Sequence, residues 1–104
     1  YLNEISGITI RTKKNIDQVF SALNKGYVDA VVYDAPVLWY YESHRGKDLV
    51  KTVGHIFKKE DYAIAFPTNS KLKEKVNLIL LELLEDGTYE ELEEEWFGKI
   101  HFNL

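Results

Sequence analysis

The chain has 104 residues, 45% of them hydrophobic and 29% charged, which is the size and composition of one globular domain with a modest core. Its net charge of -4, with both signs interspersed, excludes a nucleic-acid surface, which needs Lys and Arg clustered on one face. Having no cysteine excludes a disulfide framework, a thiolate metal site and a thiol nucleophile, and no run nears the roughly 18 apolar residues of a membrane helix.

The first residues, "YLNEISG", lack the basic and apolar regions of a secretory signal, and a tyrosine start in a chain without methionine favours a piece cut from a longer protein. "GITIRT", residues 7 to 12, alternates and is rich in β-branched residues, which predicts a short strand. In "KNIDQVFSALNKG" the apolar residues Ile16, Val19, Phe20 and Leu23 share one helical face, with Asn15 as N-cap and Gly26 as stop. "VDAVVYD", residues 28 to 34, reads as a strand buried on both faces. Strand, helix and strand in so short a span form a βαβ unit, so the expected class is α/β with a parallel sheet.

Asp34-Ala35-Pro36 reads as an N-cap with proline in the first turn, opening a helix to about Arg45. Its aromatic set, Trp39, Tyr40 and Tyr41, is expected to be at least partly core. "LVKTVG" (49 to 54) and "DYAIAFP" (61 to 67) predict two more strands. "NSKLKEKVNLILLELLEDG" predicts a helix between a Ser70 cap and a Gly87 stop, and "TYEELEEEWFG" a second, with Thr88 and Glu91 as capping box. In the longer helix Leu72, Val76, Ile79, Leu80 and Leu83 form one face, while Leu78, Leu81 and Leu84 lie beside or beyond it. That surplus of leucine is either sunk in the chain's own core or covered by another lobe or subunit.

The segments "ALNKGYVDAVVYDAPVLWYY" and "KKEDYAIAFPTNSKLKEKVNLILLELLEDGTYEELEEEWFG" resemble the carboxyl-terminal half of the type II amino-acid-binding proteins. That superfamily takes in the periplasmic receptors of polar amino-acid transporters, bacterial solute-binding protein family 3, and the ligand-binding cores of ionotropic glutamate receptors. The resemblance rests on G-x-V-D-A-V-V-x-D-x-P, D-Y-x-I-A and D-G-T-Y-x-x-L-x-x-x-W-F-G in order, and covers nearly the whole chain. It implies two α/β lobes closing over an amino acid. Residues 1 to 56 would belong to the second lobe, 57 to 67 to the return crossing, and 68 to 104 to helices that pack on the first lobe or a partner subunit. The first-lobe strand with the arginine for the ligand carboxylate is absent, as is the Ser/Gly-Thr-Thr loop that precedes the helix expected from Tyr1. The sequence looks like half a clamp.

Asp34 matches the family's acidic residue for the ligand's ammonium group. A carboxylate suits that role because an ammonium offers it up to three charge-assisted hydrogen bonds, and the same residue reads equally as an ordinary N-cap. Tyr33 and Tyr62 fall near the implied cleft, as packing or as ligand contacts. Asp29 reads as a turn or strand-start partner, and His44, His55 and His101 as surface histidines with no metal-like pairing. No cofactor is implied, and no nucleophile, acid-base pair or phosphate loop appears, so the chain reads as non-catalytic. The resemblance implies a free amino acid, the missing first lobe and a membrane permease or channel as partners, in an extracytoplasmic setting. A homodimer through Leu78, Leu81 and Leu84 is the further expectation. Three readings stay open: a transporter receptor, a segment of a glutamate-receptor-type channel or sensor kinase, and an interaction module without ligand.

Overall fold

In a computed structural model, residues 2 to 59 and 61 to 99 are described, and the chain divides into two compact units, Tyr1–Tyr33 and Asp34–Leu104. In the first, a 3-10 turn (Leu2–Glu4) precedes helix α1 (Ile16–Asn24). Local chemistry fixes both ends of α1. Asn15 is extended, and its side-chain oxygen accepts the Gln18 N–H at 3.0 Å, while Gln18 Oε1 accepts the Lys14 N–H at 3.2 Å, a capping box reaching one residue further back. At the other end Tyr27 N–H donates to the Ala22 carbonyl at 2.9 Å and Gly26 N–H to the Leu23 carbonyl at 3.0 Å, the paired bonds of a Schellman stop. Phe20 and Ala22 are buried, and Ile16, Val19 and Leu23 half-buried, so α1 covers the face its spacing predicts.

The second unit holds α2 (Ala35–Ser43), α3 (Leu72–Glu85) and α4 (Thr88–Phe97), with α4 packed against both α2 and α3. Tyr41 is the buried centre of α2. The chain after the helix turns back onto it: Gly46 N–H donates to the Tyr41 carbonyl at 2.7 Å, and Glu42 Oε2 accepts the Thr52 N–H at 2.9 Å. The hydroxyl of Ser43 lies 2.8 Å from the carbonyls of both Trp39 and Phe97, one proton serving an acceptor on each of α2 and α4. Tyr40 stacks on His44 at 4.1 Å between ring centroids and, at 6.3 Å, on Trp96 of α4. On α3, Val76, Leu80 and Leu83 are half-buried at i, i+4 and i+7.

The expected α/β class is overturned. Among the described residues every regular element is a helix, and there is no strand and no sheet. The segments 7 to 12, 28 to 34, 49 to 54 and 61 to 67 hold no ladder hydrogen bonds, so neither the βαβ unit nor a parallel pair forms. The reason lies in where each element finds its partners. A helix satisfies its backbone within one stretch of sequence, whereas a strand is completed only by another strand at hydrogen-bonding distance. Alternating β-branched residues announce a face suited to burial, and here much of it stays in solvent: Val53 is 80% and Tyr62 74% exposed.

Three helix boundaries also differ. α2 ends at Ser43, two residues short of Arg45. Ser70 Oγ accepts the Leu72 N–H at 3.3 Å, yet Lys71 stands at the N-cap position of α3. Thr88 is the first residue of α4 and not its cap. Gly87 holds that position, and the orphan Thr88 N–H is taken at 2.9 Å by Asp86 Oδ1, from the end of the preceding helix. The expected surface histidine His101 and the helix start at Tyr1 lie outside the described residues.

Candidate functional site

The site develops at the start of α2. Asp34 occupies the N-cap with φ -57 and ψ 130, and its backbone carbonyl accepts the Leu38 N–H at 3.1 Å, so the main chain enters the helix as predicted. The side chain does not join in: no side-chain capping bond forms. A capping carboxylate bonds the N–H of the second or third helical residue, and the second is Pro36, which has none. Of the two roles open to Asp34 in the sequence, the side chain does not fill that of helix cap.

That carboxylate is exposed, and the Tyr62 hydroxyl donates to its Oδ2 at 3.5 Å. Short bonds from a hydroxyl to an ionised carboxylate run near 2.5 to 2.7 Å, so this one is stretched by about 0.8 Å and weak. An ionised carboxylate offers about four lone-pair sites, and one long contact leaves Asp34 with acceptor capacity facing water. The arrangement suits a small cation with several N–H donors better than an anion or a neutral hydroxyl.

The structure thus brings together two of the three residues singled out, Asp34 and Tyr62, across 28 positions of sequence. Tyr33 belongs to the first unit and is exposed. Asp29 is exposed in the extended stretch before it. Leu78, Leu81 and Leu84 are exposed at 62%, 55% and 58% on α3. Sequence reading missed Ser43, Glu42 and Asp86, whose backbone bonds hold this unit's helices and turns. The i, i+4 spacing of Tyr40 and His44 was a readable signal for their stack, but nothing in the sequence flagged Ser43.

No described helix is long and apolar enough to cross a membrane. No family model matches the chain, and no solved structure matches it. Among curated proteins it is similar to the ionotropic glutamate receptor subunit NMDA 2C of Homo sapiens, 31% identical over 90 residues. That alignment covers 85% of this chain and 7% of the subunit, so the chain spans a small part of the relative's length. The chain is glutamate-receptor-like over that stretch.

Proposed function

We propose that this glutamate-receptor-like chain contributes the ammonium-binding carboxylate of a non-catalytic receptor for a free amino acid. The observation that carries the reading is the uncapped, exposed Asp34 carboxylate, with the Tyr62 hydroxyl 3.5 Å away and its remaining acceptor sites open. An α-ammonium group supplies three donors and a full charge to that position. The receptor's first lobe would provide the cation for the ligand's carboxylate, and closure around the ligand would transmit occupancy by differential affinity for the closed state. Similarity to an ionotropic glutamate receptor subunit supports a signalling receptor over a transport one, with a membrane channel as its partner and an extracytoplasmic setting for the ligand. The test is a comparison of L-glutamate with glutarate, which differs by the ammonium group, on wild-type chain and on Asp34→Asn. Binding of glutamate that glutarate lacks and Asp34→Asn abolishes supports the reading; equal binding of the two ligands refutes it.

A second copy of the chain is the partner proposed for α3. Its exposed Leu78, Leu81 and Leu84 lie beside or beyond the face of the half-buried Val76, Leu80 and Leu83. The charges favour an antiparallel pair: Lys71, Lys73 and Lys75, with Glu74 among them, crowd the N-terminal end, and Glu82, Glu85 and Asp86 the C-terminal end. That order opposes the helix's own dipole, yet across a two-fold axis it sets basic turns against acidic ones. Leu81→Glu should leave the helix content unchanged and lower the solution mass from dimer to monomer. A wild-type chain that is monomeric at every concentration would rule the pairing out.

A further inference from the structure

Of the six glycines, only Gly87 follows an acidic or amide residue, so Asp86-Gly87 is the one dipeptide of its kind in the chain. It forms the link between α3 and α4, with Asp86 exposed and the space that a Cβ on Gly87 would occupy empty to 4 Å. We infer that Asp86-Gly87 is a site of spontaneous aspartate isomerisation, restrained from ring closure in the native fold by the turn's backbone and by the hydrogen bond that Asp86 Oδ1 accepts from the Thr88 N–H.

The chemistry needs no co-reactant but water. The Gly87 amide nitrogen attacks Cγ of Asp86, the new C–N bond closes a five-membered succinimide, and a carboxyl oxygen departs as water with the amide proton. Water then adds to either ring carbonyl. Opening at the main-chain carbonyl leaves isoaspartate, with the chain running through Cβ and Cγ and an unchanged mass. Glycine favours the step because no side chain obstructs the attacking nitrogen. The product lengthens the link between two helices by one backbone carbon and creates an α-carboxylate that a methyltransferase specific for isoaspartate can modify.

Two features of the native turn oppose ring closure. With φ -88 and ψ -2 at Asp86, the Gly87 nitrogen is turned away from the side chain. The carboxylate is engaged as well, its Oδ1 accepting the Thr88 N–H at 2.9 Å. The Thr88 hydroxyl and then that N–H hold the Asp86 carboxyl below its ordinary range, which makes the neutral acid from which water can leave scarcer than in an ordinary aspartate. Closure must wait for the first turn of α4 to open.

The test is ageing of the whole chain at neutral pH, native and in urea. Isoaspartate is measured by enzymatic methyl transfer from S-adenosylmethionine and located by fragmentation mass spectrometry. The expected result is isoaspartate at position 86, forming several-fold faster in urea than in the native chain and absent from Asp86→Glu, whose longer side chain closes a six-membered ring poorly. Thr88→Val, which removes the hydroxyl, should age several-fold faster than wild type under native conditions and at the same rate in urea. Circular dichroism on the same samples separates a weakened cap from global unfolding. No isoaspartate at position 86 in urea would overturn the site, and equal native and urea rates for the wild type would overturn the guard.

Discussion

Replacing Gly98 by alanine should loosen the junction of α2 and α4 more than any other single-methyl change at that junction. Gly98 closes α4 with φ 78 and ψ -177, a region essentially reserved for glycine, where a side chain costs about 1 to 3 kcal/mol. The new Cβ would also stand 2.6 Å from Ser43 Oγ, inside any tolerable contact. Ser43 can yield only by rotating its hydroxyl away from the Phe97 and Trp39 carbonyls, a net loss of about 1 kcal/mol. Together the two effects come to about 3 kcal/mol, a large share of the 5 to 15 kcal/mol typical of a folded domain. With a urea slope of about 1.5 kcal/mol/M, the unfolding midpoint should fall by about 2 M. The assay is urea unfolding followed by circular dichroism, together with Trp96 fluorescence in a Trp39→Phe background for the contact with Tyr40. Ser43→Ala alone should cost about 1 kcal/mol, and in the double variant the clash is gone, so the sum of the singles should exceed the double. A Gly98→Ala midpoint equal to that of the wild type would refute both the strain and the close approach.

Gly46→Ala tests the turn after α2 in the same way. A Cβ there falls 2.5 Å from Tyr41 Cε1 and 2.8 Å from Val50 Cγ2, and overpacking around the buried tyrosine should cost about 1 to 3 kcal/mol in urea unfolding. For Asp86, a carboxyl held below its ordinary 3.8 by Thr88 stabilises the fold above that value and loses its contribution as pH falls through the lower folded value. Wild type should therefore lose more stability than freshly prepared Asp86→Asn between pH 5 and pH 2, measured by thermal unfolding across that acid range. Asp34→Ala should change stability by less than about 0.5 kcal/mol, since its side chain caps nothing; a loss near 1 kcal/mol would restore the capping role.

The helices were legible because their causes are local. Asn15, Gln18 and Gly26 bound α1 within a dozen residues, and Pro36 marks the opening of α2 by itself. Capping was read less well at α4, because Thr88 and Glu91 satisfy the sequence pattern while Asp86, two residues earlier, takes the orphan Thr88 N–H. The strands were misread for a different reason. Val28 to Asp34 and Asp61 to Pro67 have the composition of strands, but pairing is a property of two segments and is not written in either one. Of the site, Asp34 and Tyr62 were singled out by family resemblance, and their proximity is tertiary. The freedom of the Asp34 carboxylate could have been read from the proline two residues on, which removes one of the two N–H groups a cap would bond.

The most direct test of the central claim is a nuclear magnetic resonance titration of the isotopically labelled chain with L-glutamate, following the Asp34 carboxyl and Tyr62 ring signals. A carboxylate that receives an ammonium without an opposing lobe should bind with a dissociation constant of about 1 mM, equivalent to about -4 kcal/mol. The expected result is a saturable shift at Asp34 and Tyr62 with glutamate, absent with glutarate and absent in Asp34→Asn. Identical shifts with glutamate and glutarate, or none at Asp34 up to saturating glutamate, would contradict it.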